Sequence, residues 1–414
     1  MRGRSRFTRL AVSLTAMAAM HAPLAAADPE PAALVAAHSR PFTFTNDTLA
    51  GPGAAFLEAA TADSQFVLFG EDHYLHDTPV FAAALFRMLR DRHGFRHLVV
   101  EQDRIAMEDA LAPPNRGDAR RLGALAARYP NLFEFASDQD LELLALVGRL
   151  EKGPEAICGI EQALGPVRYF DELAAAAPNQ AVRAEIAALR AHALTRDPDA
   201  RYSVNFLSEA GVEQRLERLR ADFGAKPGSR HDEMLLGLMR SAEIFGYYRR
   251  AEAGEPVALF NNTVREAWFK RLFMDCYRRA AKRGALPKAL FKFGANHMYR
   301  GKNPTQAFPI GNFAHEFAIA NGKDAYGLFV LPLTGAGYAD VPDWLKVMLP
   351  ATPPDQPVIV DLRALRPMQR LVRVPLKESD HTPFREAING FDAIVILPGE
   401  KPATMMLSGL KGLR

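Results

Sequence analysis

The chain has 414 residues, of which 48% are hydrophobic and 24% charged, with a net charge of +3. That composition excludes a disordered chain and gives ample core for one large domain, or for a domain carrying an insertion. Four arginines at the start account for the positive balance, and without residues 1–27 the net charge becomes −1, so no basic surface argues for nucleic acid.

Those first 27 residues read as an export leader. Arg2, Arg4, Arg6 and Arg9 precede the apolar stretch 10–20, and Ala25-Ala26-Ala27 offers an A-x-A cleavage site. The apolar stretch is short for a span, so no stable membrane anchor is expected after cleavage behind Ala27. The expected location is periplasmic or secreted. Residues 28–62 read as a linker and helix, and 63–414 as the main domain.

Strand one is expected at 65–69, followed by GEDHYLHD (70–77), which offers Glu71, His73, His76 and Asp77. Thr78 before Pro79 predicts a helix N-cap with proline at the first helical position, and Phe81, Leu85, Met88 and Leu89 share one face of that helix. Strand two (97–100) runs into Glu101 and Asp103, the latter also placed to cap a helix near Arg104. A helix over 140–150 leads to strand three (155–160), which ends at Glu161. From 165 to 255 the pattern is helical, an insertion expected to shape a pocket or to add packing bulk. A helix over 263–282 carries Arg265 and Glu266 in its first turns. Strand four (289–293) then precedes Asn296 and His297. Apolar runs at 327–331, 358–362 and 393–397 extend the sheet or build a C-terminal extension over 325–414. Strands separated by helices predict an α/β fold with a mainly parallel central sheet flanked by helices.

Cys158 lies in strand three and Cys276 inside the long helix. Two buried thiols are expected rather than a bridge, because nothing in the sequence places them together.

Ligands of open α/β sheets sit beyond the carboxyl ends of the strands. Here four successive strand ends each bring an acid or a histidine to one rim. A histidine there can take a proton from water, a carboxylate can hold its tautomer, and an arginine or second histidine can stabilise an oxyanion. The same groups, Glu71, His73, Glu101 and His297, could instead hold a divalent metal such as zinc or manganese. Motifs for a serine nucleophile (G-x-S-x-G), a zincin (H-E-x-x-H), a P-loop and a dinucleotide fold (G-x-G-x-x-G) are all missing.

In order, GEDH (70–73), VVEQD (99–103), LFEFASDQDLELL (132–144), CGIEQ (158–162), NNTVRE (261–266) and GANHMYRG (294–301) resemble the motif series of the erythromycin esterase-like family. That family lies in a wider group with haem-binding uptake proteins and Tiki-type proteases. The first element reads G-E-x-H where the family has G-E-x-x-H, and Gly294 stands where the first histidine of H-N-x-H would be. The resemblance implies an α/β fold and an exported hydrolase of a small ester, lactone or amide, without a cofactor. It makes His73 the base, Glu71 and Glu101 its partner acids, and Arg265 and His297 the groups that stabilise the oxyanion. His76, Asp103, Glu161, Glu266 and Asn296 take supporting places. The alternatives are a haem- or metal-binding protein without turnover, and a metal-dependent hydrolase on the same residues.

Overall fold

The computed structural model describes residues 30–197, 204–257, 260–282, 284–335, 337–370, 374 and 376–407. The leader and its cleavage site lie outside the described residues.

After helix α1 (Pro31–Ala37) come β1 (Ser39–Pro41), the small ribbon β2 (Thr43–Phe44) and β3 (Leu49–Ala50), and α2 (Pro52–Ala60). The alternation the sequence predicts follows: β4 (Ser64–Glu71), α3 (Asp77–His93), β5 (His97–Asp103), α4 (Arg104–Leu111), α5 (Ala119–Arg128), α6 (Asp138–Leu150) and β6 (Ile157–Glu161). Among the described residues, five helices lie between β6 and α12 (Phe260–Ala281): α7 (Val167–Ala175), α8 (Gln180–Arg196), α9 (Asn205–Ser208), α10 (Val212–Phe223) and α11 (Arg230–Glu252). Then come α12 (Phe260–Ala281), β7 (Ala289–Gly294), α13 (Ile310–Ala320), β8 (Asp324–Leu333), β9 (Val358–Asp361) and β10 (Ala393–Pro398).

Among the described residues, eight strands form one sheet in the order β1-β9-β10-β8-β4-β7-β5-β6. From β10 to β6 all neighbours are parallel, while β9 pairs antiparallel with both β10 and β1. The C-terminal apolar runs therefore extend the sheet. The fourth expected strand, β7, wedges between the first and second, pairing Gly70 with Phe293 and Val100 with Lys292.

Side chains alternate between the two faces of a strand, and each face builds its own core. Val67, Phe69, Leu98, Val100 and Leu290 pack against α3, α4 and α6. Phe66, Leu68, Val99, Phe291 and Phe293 pack against α12 and α13. The same parity sends Glu71 and Lys292 to the α3/α6 face and Glu101 to the α12 face. Two sets of polar groups thus meet at one edge of the sheet from opposite sides.

Two expectations need correction. Helix α3 begins at Asp77, and Thr78 is buried inside its first turn. The capping acceptor comes from elsewhere: Glu400 Oε1 takes the N–H groups of Asp77 (2.6 Å) and Thr78 (3.2 Å). Cys158 and Cys276, expected as separate thiols, form a disulfide across 118 residues. Helix α12 lies along β6 and brings their Cα atoms to 6.3 Å, inside the range a disulfide bridges.

Candidate functional site

The strand-end glutamates are fully turned into protein. Glu101, 3% exposed, uses both oxygens: Oε1 accepts from Arg265 Nη2 (2.9 Å) and lies 3.2 Å from His297 Nε2, while Oε2 accepts from the Gly294 N–H at 2.7 Å. Its Oε2 is also 3.7 Å from His73 Nε2. Burial opposes its ionisation, but the charges of His297, His73 and Arg265 outweigh burial and hold the carboxyl well below the usual range.

Glu71 takes the other nitrogen of the same ring, with Oε1 3.2 Å from His73 Nδ1 and 2.7 Å from Lys292 Nζ. Lys292 is buried in the middle of β7 and bridges on to Asp140 Oδ1 at 2.8 Å. Asp140, in the first turn of α6, is itself held by Ser137 Oγ at 2.6 Å. Burial disfavours the ammonium, yet Asp140 and Glu71 raise its pKa above the ordinary lysine value.

His73 thus sits between two carboxylates, one from each face of the sheet. Its ring stacks on Phe135 at 4.2 Å, and 28% of its side chain reaches solvent. Burial would lower its pKa, but the hydrogen bond it donates to Glu71 and the charge of Glu101 win and raise it. Room for the ring comes from Gly294, where a Cβ would lie 2.7 Å from Nε2. The ring of His73 occupies the space that a side chain at position 294 would enter.

On the α12 face, Arg265 donates through Nε to Glu161 Oε1 and Gln162 Oε1, both at 3.0 Å, and through Nη2 also to Glu161 Oε2. Arg265 Nη1 lies 3.2 Å from His297 Nε2 and bonds no carboxylate among the described residues. Glu266 receives His297 Nδ1 at 2.5 Å and the Ile310 N–H at 2.7 Å. Burial works against an imidazolium at His297, but the carboxylates of Glu101 and Glu266 push its pKa up to about 10.

Seven of the sequence-chosen residues therefore come together: Glu71, His73, Glu101, Glu161, Arg265, Glu266 and His297. Three do not. His76 pairs with Asp77 at 2.7 Å, and its side chain is 41% exposed. Asp103 caps α4 through the N–H groups of Ile105 and Ala106, and accepts from Tyr169. The Asn296 residue is exposed, and its carbonyl accepts from Asn303.

Sequence reasoning missed Lys292, Asp140 and Glu134. The signal for Lys292 was a charge inside the apolar run ALFKF, since lysine is rarely buried without a partner. Glu134 lies in the stretch LFEFASDQ, and its Oε2 is buried without a hydrogen-bond partner among the described residues. Burial and the charges of Glu161 and Glu101 raise its pKa well above the ordinary value.

Oxygens of Glu101, Glu134 and Glu161 lie within 4.8 Å of one another, close enough for one cation to reach all three. The Arg265 guanidinium already bonds two of them. The set expected for a metal fares less well, because both nitrogens of His297 are engaged.

No family model and no curated protein matches this chain. Solved structures do match it. A variant of the erythromycin esterase EreC in its open conformation aligns at 14% identity and a TM-score of 0.53, covering 84% of this chain and 94% of its own. A Bacillus cereus protein aligns at 13% identity and a TM-score of 0.56, and a succinoglycan biosynthesis protein at 12% and 0.56; each alignment covers 91% of this chain and 98% of the other. At such identities the likeness shows the fold, and this chain has the erythromycin esterase-like fold.

Proposed function

We propose that this chain is a hydrolase in which His73 takes a proton from water as that water attacks the carbonyl carbon of a small ester, lactone or amide. One observation carries the reading: His73 is a half-open imidazole held between Glu71 and Glu101, with the cations Arg265 and His297 on the far side of Glu101. Glu71 accepts from Nδ1–H and leaves Nε2 as the acceptor for the water proton. The new C–O bond puts negative charge on the carbonyl oxygen, which the fixed positive charge of the Arg265 guanidinium stabilises. His297, charged at neutral pH, adds positive potential and does not compete as a base. Collapse of the tetrahedral species expels the alkoxide or amine, which takes the proton back from His73. The esterase among the structural neighbours gives the same direction at the level of fold. We extend the proposal to export, on the strength of residues 1–27; among the described residues no helix is long and apolar enough to cross a membrane.

The test is a panel of chromogenic esters of increasing acyl size, run on the wild type and His73→Ala. General-base catalysis contributes about 10²- to 10⁴-fold, and a loss of that order is expected at saturating ester. Equal rates in the two proteins remove His73 as the base. A second reading makes the rim a divalent-cation site, favoured by the close approach of Glu101, Glu134 and Glu161. Metal analysis and a visible spectrum of the purified protein decide it: stoichiometric metal or a Soret band would overturn the metal-free mechanism.

A further inference from the structure

After β10 the chain turns at Gly399, whose φ is +68°, and residues 400–407 run back across the rim. Their contacts are polar and regularly spaced. The Glu400 N–H donates to the Leu333 carbonyl at 3.0 Å, the Lys401 carbonyl accepts the His76 N–H at 2.9 Å, and the Ala403 N–H donates to the Tyr74 carbonyl at 2.8 Å. Thr404 exchanges hydrogen bonds with the Gln139 side chain and accepts the Asp138 N–H at 2.8 Å. The Asp138 carboxylate in turn accepts the N–H groups of Met406 (3.1 Å) and Leu407 (2.7 Å).

These bonds fall on two places that matter for His73. One is its own loop, where Tyr74 has a φ of 63°. A residue with a Cβ holds that left-handed conformation only when its surroundings impose it. The other is the start of α6, which carries Asp140, the partner of Lys292, which in turn binds the Glu71 oxygen that meets His73. Core packing holds the far end of the segment, where Leu407 packs beside Gly123 of α5, but not its middle, where Lys401, Pro402, Thr404 and Met406 are exposed. Glu400 alone is buried, at 4% exposure, and its Oε1 caps α3 where the loop of His73 ends.

We propose that residues 399–407 are a positioning element for His73, with Glu400 as its key residue, and that turnover requires the segment although no atom of it touches the substrate. This rests on the hydrolase reading only for its kinetic consequence. Glu400→Ala removes the acceptor for the Asp77 and Thr78 N–H groups, Glu400→Gln keeps an acceptor oxygen, and Ala403→Pro removes the N–H given to Tyr74. Misplacing a catalytic group by about 1 Å costs up to about 100-fold. We expect Glu400→Ala and Ala403→Pro to lower kcat at least about tenfold while KM moves less than about threefold. Glu400→Gln should recover kcat to within about threefold of wild type, which a role in stability alone would not produce.

Imidazole NMR of His73 supplies a readout that needs no substrate. In wild type the Nδ1–H signal should be protected by Glu71, and it should broaden or disappear in Glu400→Ala. Unchanged kcat and an unchanged signal in Glu400→Ala overturn the proposal, as does a Gln variant as defective as the Ala variant. If wild type hydrolyses nothing, the hydrolase reading fails and the NMR comparison alone decides on the segment.

Discussion

Replacing Glu101 by glutamine tests the electrostatic argument directly, because the side chain keeps its size and loses one charge and one acceptor. Glu101 bonds Arg265 and the Gly294 N–H, and neighbours both His297 and His73. An amide cannot accept on both sides, so a buried donor loses its partner. Removing one member of a buried charged pair costs about 3–5 kcal/mol, and that loss is expected near neutral pH. The loss should then shrink with pH, for the following reason. His297 is raised to about 10 in the folded chain, against an unfolded value of 6.5. Its stabilisation is complete below the unfolded value and disappears as pH rises through about 10. Between those limits the folded state holds one proton more, a slope of about −1.4 kcal/mol per pH unit. Glu101 is the largest cause of that elevation, so the variant should lose most of the slope. From about pH 8 to 9.5 the gap between the proteins should close by roughly 2 kcal/mol. Asp103 and Glu400, both raised to about 7 chiefly by burial, titrate below this window; His73, Glu134 and Glu161 also feel the charge of Glu101 and shift in the variant, so the test is the change in the gap above about pH 8 and not its absolute size. Urea denaturation at several pH values measures it. A gap that stays constant above about pH 8 refutes the reasoning.

Gly294→Ala would place a Cβ 2.7 Å from His73 Nε2, so ester turnover should fall about 10- to 100-fold, and no further loss should appear in a His73→Ala background. Reduction of the Cys158–Cys276 bond, which closes a loop across 118 residues, should lower stability by up to about 5 kcal/mol by chain-entropy reasoning; denaturation with and without reductant measures it. Lys292→Met would leave Glu71 and Asp140 facing each other without their shared cation, at a cost of about 3–5 kcal/mol, and adding Asp140→Asn should recover part of that stability. Since Glu71 and Glu101 raise His73 above 6.5, against burial, ester turnover should rise with pH through an apparent value above 6.5. A profile flat across neutral pH would separate the rate from His73.

Much of this was legible in the sequence because it is local. Short apolar runs ending in acids announced the strands, and the strand ends announced the rim. What escaped depends on partners far apart in the chain. Nothing in GEDHYLHD shows that α3 is capped by Glu400, so Thr78 looked like the cap. Cys158 and Cys276 become neighbours only because α12 lies along β6. The wedge of β7 between β4 and β5 is likewise topological, and it is what aligns Lys292 with Glu71. Asp103 was legible for the same reason as the strands: of its two expected places, at the rim or as the cap of the helix near Arg104, the local one holds.

The balance of charge at the rim bears on what the cluster is for. Glu71, Glu101, Asp140, Glu161 and Glu266 face Lys292, Arg265 and His297, five carboxylates against three cations among the described bonds. Ion groups removed from water rarely stabilise a fold beyond what apolar side chains of the same volume would provide, so stability does not explain why so many are placed at one strand edge. A buried excess of negative charge draws protons. Burial first, and then the neighbouring carboxylates, raise Glu161 and Glu134, while Glu71 and Glu101 raise His73 against burial; Glu134 Oε2 has no hydrogen-bond partner among the described residues. Next to the imidazole of His73, the rim thus gathers groups whose affinity for a proton is raised. A structural ion cluster would be expected to pair off its charges. A site that takes a proton from water and returns it to a leaving group would use such groups, and this is the sense in which the imbalance agrees with the hydrolase proposal.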